Sequence, residues 1–147
     1  MFSFGAGSNK KLLTVRFDLR DVVRQVMALQ VYDFTIVHGY RGEEVQNQAF
    51  LSGASTKQWP DSQHNTTDSD GDPSSNAVDF APWCMLPGGH MGIPWDDTHA
   101  FAVLGGMFIA VGATYGTLIR YGGDWDMDGK TTDQRLMDWG HIEVVNR

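Results

Sequence analysis

Apolar residues recur near helical spacing between Leu19 and Gln30, where Val22, Val23, Val26, Met27 and Leu29 mark out one face, and this predicts an amphipathic helix. The run Asp33–Val37, ending at Gly39, predicts a strand. From Gly42 to Leu51 the pattern returns to a helix, with Glu43 and Glu44 in the first turn, where they complement the helix dipole. Residues 52–76 are polar and turn-forming and are read mainly as loop, followed by a short strand over Ala77–Ala81 that Pro82 stops. The longest helix is predicted over Asp97–Tyr115, with Phe101, Leu104, Phe108 and Val111 as its buried stripe. Gly105, Gly106 and Gly112 lower its propensity, so their expected use is close packing against a sheet. Strands over Leu118–Tyr121 and His141–Val145 complete an α+β plan, helices packed on a small antiparallel sheet.

No repeat or linker divides the chain, and 147 residues suffice for one domain with a real core, so a single domain over 1–147 is expected. The net charge is −7 and no cationic run exceeds Lys10-Lys11, which argues against nucleic acid as a partner. The lone Cys84 cannot form an intramolecular disulfide, in keeping with synthesis in a reducing cytoplasm. The first residues carry no apolar segment after their charges, so no secretory signal is expected. The apolar stretch around Ala100–Val111 is too short to span a bilayer, and no membrane insertion is expected.

The candidate chemistry lies in two short stretches. Asp61-Ser62-Gln63-His64 runs on to Asn76-Ala77-Val78-Asp79-Phe80, and Asp138-Trp139-Gly140-His141-Ile142-Glu143 follows near the end. Two imidazoles and one carboxylate, from His64, Asp79 and His141, suit Zn²⁺, and three protein ligands leave a fourth position for water. Asp138, three residues before His141, is placed to act as a general base toward that water.

Ser62-x-His64, Ala77-Val78-Asp79 and Asp138-x-x-His141 together resemble the zinc D-alanyl-D-alanine metallopeptidases, and within them the phage L-alanyl-D-glutamate endopeptidases that serve as endolysins. The resemblance extends to Asp33–Arg41 with Glu44 and Gln46, to Gly53–Lys57, and to Arg120–Asp126, covering roughly residues 10 to 147. It implies a fold of the hedgehog/D,D-peptidase type and His64, Asp79 and His141 as zinc ligands. It further implies Asp138 as catalytic base, Arg41 as the cation that meets the oxyanion, and Ser62 as a substrate contact. The implied substrate is the stem peptide of bacterial peptidoglycan, with the L-Ala–D-Glu bond cut for host lysis by a monomer held in the host cytoplasm until release. A D,D-carboxypeptidase is the alternative within the same chemistry, and a non-catalytic wall-binding module is the alternative of another class.

One departure bears on the ligands. Fifteen positions separate His64 from Asp79, more than in short versions of the family pattern, and the excess is polar loop sequence. Loop closure grows only slowly in cost with length, so the motif tolerates it. Asp68, Asp70 and Asp72 become competing ligands; Asp79 is preferred because Ala77, Val78 and Phe80 anchor it on a strand. A second metal is also considered. Asp124-x-Asp126-x-Asp128-Gly129 opens like a calcium loop, but Arg135 stands at the twelfth position where Ca²⁺ needs an acid, and turn-building is the competing reading. His38, His90 and His99 are expected as surface or packed histidines, Glu143 as a structural partner, and Trp83, Trp125 and Trp139 as packing beside the site.

Overall fold

A computed structural model describes residues 1–146. Its elements, in order, are α1 (Ala6–Leu12), α2 (Phe17–Ala28), β1 (Phe34–His38), α3 (Glu43–Leu51), a single 3-10 turn (Gln63–Asn65), β2 (Ala77–Pro82), β3 (Cys84–Leu86), β4 (His90–Gly92), α4 (Thr98–Thr114), β5 (Ile119–Tyr121) and β6 (His141–Val144). The main sheet runs β1-β2-β6-β5 with every neighbouring pair antiparallel. The α+β plan read from the sequence is therefore the one observed. Four elements were not anticipated: the short helix α1, the 3-10 turn within sequence read as loop, and the two strands of the β3–β4 hairpin built on the Pro87-Gly88-Gly89 turn.

Strand alternation separates core from site. Phe34 and Ile36 on β1, Val78 and Phe80 on β2, Ile119 and Tyr121 on β5, and Ile142 and Val144 on β6 all enter the hydrophobic core with α2 and α4. Phe80 and Phe34 both pack edge-to-face on Phe108, at ring separations of 4.8 and 5.5 Å. The intervening residues, Asp79, His141, Glu143 and Arg120, point to the opposite face. His38 would share the core face of Ile36, but the register shifts between them, and this bulge pairs His38 with Asp79.

The α4 glycines divide in use. A Cβ on Gly105 would meet the Tyr121 ring at 2.7 Å, and one on Gly112 would meet the Thr117 carbonyl oxygen at 2.6 Å, so both are sites of close approach. Gly106 is exposed with nothing near it, so the expectation of close packing fails there. Gly112→Ala should destabilise the fold by about 1–3 kcal/mol through overpacking. Gly106→Ala should stabilise it by about 0.5–1 kcal/mol through helix propensity. Denaturant unfolding of the two variants checks the opposite signs; a shared sign would show that the close contacts do not govern α4.

Candidate active site

Each of the three predicted ligands is carried by a differently constructed element. His64 sits in the 3-10 turn, where the Ser62 hydroxyl accepts the His64 N–H at 3.2 Å and the Asn65 side-chain oxygen accepts the Ser62 N–H at 3.0 Å. Asp79 lies on β2, and β6 places His141 directly opposite it. The ligand atoms of His64, Asp79 and His141 all fall within 4.8 Å of one another, a cluster that can hold a metal ion. Asp68 and its neighbours stay away from it. Their exposed loop is instead closed on itself, with the Asp68 carboxylate accepting the N–H groups of Asp70 and Asp72.

Both imidazoles are oriented from behind, as metal-binding histidines generally are. His64 Nδ1 donates to the Gly39 carbonyl at 2.7 Å, which leaves Nε2 directed at Asp79 Oδ1, 3.1 Å away. His141 faces Asp79 Oδ1 with Nδ1 at 3.0 Å, and its Nε2 lies 3.3 Å from Glu143 Oε2. Glu143 is buried, and its Oε1 accepts from Arg120 at 2.8 Å. The sequence pointed to Glu143 as structural; the Arg120–Glu143–His141 chain gives that role its content. Trp125 lies beside His141, ring centroids 5.3 Å apart, so of Trp83, Trp125 and Trp139 it is the one that packs against a candidate ligand.

Around this cluster stand the remaining predicted residues. Arg41 Nη2 donates to Asp79 Oδ2 at 2.6 Å, and its backbone N–H donates to the His64 carbonyl at 2.8 Å. Asp138 Oδ2 is 4.0 Å from His141 Nδ1, with half of its side chain exposed. Its turn is held by reciprocal contacts, the Asp138 N–H to the Gly122 carbonyl and the Gly122 N–H to the His141 carbonyl. His38, expected as a surface or packed histidine, is half-exposed and packs at the edge of the site, its Nδ1 3.3 Å from Asp79 Oδ2. The bulge that puts it there leaves no signature in the apolar pattern.

A polar cleft of about 510 Å³ opens over the cluster, with Arg41, Lys57, Ser62, Arg120 and Asp138 among its walls. A second hollow of about 340 Å³, with Val37, Trp95, Phe101 and Trp139 in its lining, meets the first at Arg41, Asp79 and Asp138.

The sequence model of the phage L-alanyl-D-glutamate peptidases matches residues 1–145. Over 148 residues the chain is 35% identical to the L-alanyl-D-glutamate peptidase of Escherichia phage T5, an alignment spanning 98% of each protein. The chain belongs to the phage L-alanyl-D-glutamate peptidase family. Its fold is also that of the Serratia marcescens L-Ala D-Glu endopeptidase ChiX, whose crystal structure it matches with a TM-score of 0.69 at 22% identity, over 97% of this chain and 90% of that one.

In this family member the second acidic group also converges, with Asp124, Asp126 and Asp128 offering oxygens within 4.8 Å of one another. Those oxygens are engaged in building a turn. Asp124 accepts the N–H groups of Asp128 and Gly129, and Asp128 accepts that of Lys130.

Titration at the centre follows from burial against charge. Burial alone would raise the Asp79 pKa, but the surrounding histidines outweigh it and hold the carboxyl well below its ordinary value. Burial would lower His141, yet hydrogen bonds to Asp79 and Glu143 lift its pKa to about 10. Asp138 is pushed upward by burial, with the Asp79 charge adding to it and His141 opposing. In the metal-free protein Asp79 and Glu143 thus favour the doubly protonated His141 ring, and a metal bound through Nδ1 would displace the proton there. Calorimetric loading of the chelated protein at pH 7, in buffers of different ionisation heat, should show release of about one proton per metal from this ring. That release should fade as the pH approaches about 10. Proton-free loading at pH 7 would show that His141 is neutral beforehand.

Proposed function

We propose that this chain is a zinc-dependent endolysin cutting the L-Ala–D-Glu bond of peptidoglycan stem peptides. It acts as a monomeric catalytic domain spanning 1–147, held in the host cytoplasm until lysis. The observation that carries the reading is the pair of imidazoles oriented by Gly39 and Glu143 so that His64 Nε2 and His141 Nδ1 converge on one Asp79 oxygen. Two nitrogens and a carboxylate suit zinc by donor type. When bound there, zinc supplies a Lewis-acid centre that makes water acidic near neutral pH and polarises a carbonyl.

The chain's own residues do the rest. Asp138, beside His141 at the cleft wall, takes the proton of the attacking water and returns it to the departing D-Glu amine. Its raised proton affinity favours that transfer over an ordinary surface carboxylate. Arg41 is fixed to Asp79 through one nitrogen, and its remaining donors are available to the oxygen that becomes negative on the scissile carbonyl. Ser62 uses its oxygen as an acceptor for His64, which leaves its O–H free for a substrate carbonyl. Calcium at Asp124, Asp126 and Asp128 is no part of the proposal, because the turn accounts for these acids and Arg135 stands where the loop needs another.

Mass spectrometry of digested sacculi tests the bond: new peptides should begin with D-Glu, whereas released D-Ala would indicate a D,D-carboxypeptidase. Asp138→Ala should keep its metal and lose hydrolysis by roughly 10²–10⁴-fold; wild-type turnover would remove Asp138 from the mechanism. Arg41→Lys keeps the charge but loses the planar fork, so kcat should fall by roughly tenfold or more with KM little changed. A variant altered in KM alone would make Arg41 a ground-state anchor.

A further inference from the structure

The two hollows that meet at Arg41, Asp79 and Asp138 differ in character, the first lined largely by polar and charged side chains and the second walled by Val37, Trp95, Phe101 and Trp139. Resting on the L-Ala–D-Glu reading, we propose that the hollow beside Trp95 receives the muramyl–L-Ala half and the polar cleft beside Lys57 receives the D-Glu half.

The chemistry of the two halves is unequal. D-Glu continues the stem through its γ-carboxyl, so its α-carboxylate remains as a charge next to the scissile bond. On the other side come the L-Ala methyl, the lactyl methyl and the neutral sugar ring. A carboxylate laid among Val37, Trp95, Phe101 and Trp139 would lose water to largely apolar walls, where the guanidinium of Arg41 is already paired with Asp79 and His38 also contacts that acid, which opposes that orientation.

The polar cleft offers that partner. Lys57 makes no ion pair among the described residues, and its loop is pinned where Gln46, fully buried, donates to the Lys57 carbonyl at 2.7 Å. Arg120 spends its Nε and Nη2 on one Glu143 oxygen and keeps further donors. In the other hollow, Trp95 is 63% exposed, and its ring is backed by Phe101 at 6.1 Å and 24°. An indole supported on one side and open on the other is a platform for the apolar face of a sugar.

The test uses the metal-loaded full chain on N-acetylmuramyl-L-Ala-γ-D-Glu-L-Lys, on N-acetyl-L-Ala-γ-D-Glu-L-Lys, and on the latter with its D-Glu α-carboxylate amidated. Trp95→Ala should raise KM for the muramyl peptide by roughly fivefold. It should leave kcat, and KM for the sugar-free peptide, unchanged, and Trp95→Phe should recover most of the loss. Lys57→Ala should reduce the preference for the free carboxylate over the amide, with Arg120 left as the remaining cation, without altering the effect of the sugar. An equal KM change on both peptides in Trp95→Ala, or none on either, overturns the assignment; so does a Lys57→Ala protein whose preference for the carboxylate is undiminished. Wild-type protein releasing no peptide that begins with D-Glu from any of the three would overturn the bond assignment itself, a result distinct from an altered KM ratio.

Discussion

One carboxylate, that of Asp79, organises the site. It sits on a central strand of the sheet with its side chain about one-sixth exposed, and ion-pair contacts reach it from His38, Arg41, His64 and His141. An acid taken so far from water is tolerated only when charge and hydrogen bonds replace the lost solvent. Strand register supplies two of these partners, since His38 on one side and His141 on the other pair with Asp79 across the sheet. The same alternation sends Val78 and Phe80 into the core, so hydrophobic burial on one face fixes the chemistry on the other.

The surrounding polar groups hold the geometry. Gln46 donates to Ser55 and Lys57 and accepts from Asn65, while Asn65 also donates to the Arg41 carbonyl. One buried amide thereby ties a cleft loop, the His64 turn and the arginine to α3. Such a network is stabilising only while every member is satisfied. Through Asn65 it links the turn that carries His64 to the backbone of Arg41.

Much of this was legible in the sequence, for identifiable reasons. The strands carrying Phe34–His38, Ala77–Pro82 and His141–Val144 bury their apolar residues, so burial and pattern agree. The candidate ligands His64, Asp79 and His141 and the candidate base Asp138 stood out as a motif, and the structure brings them together at one centre. Helix α1 escaped notice because Ala6–Leu12 buries only Ser8 and Leu12, too few positions to make a period. The β3–β4 hairpin is largely exposed, and its residues lack any alternation that burial would impose. His38 is a partly exposed histidine outside the candidate ligand set, as expected, but its contact with Asp79 was not legible because a bulge, which is a property of strand pairing, decides which face it takes. Gln46 resembled a family position, yet nothing in its neighbours announced that it is fully buried.

The central claim, that Asp79 with its two histidines forms the metal centre, is most directly tested by the zinc content of folded single-residue variants. His64→Ala, Asp79→Ala and His141→Ala should each purify without stoichiometric metal, while Asp72→Ala should retain about one zinc per chain. Full zinc in Asp79→Ala together with an empty Asp72→Ala would move the ligand into the 65–75 loop and contradict the account.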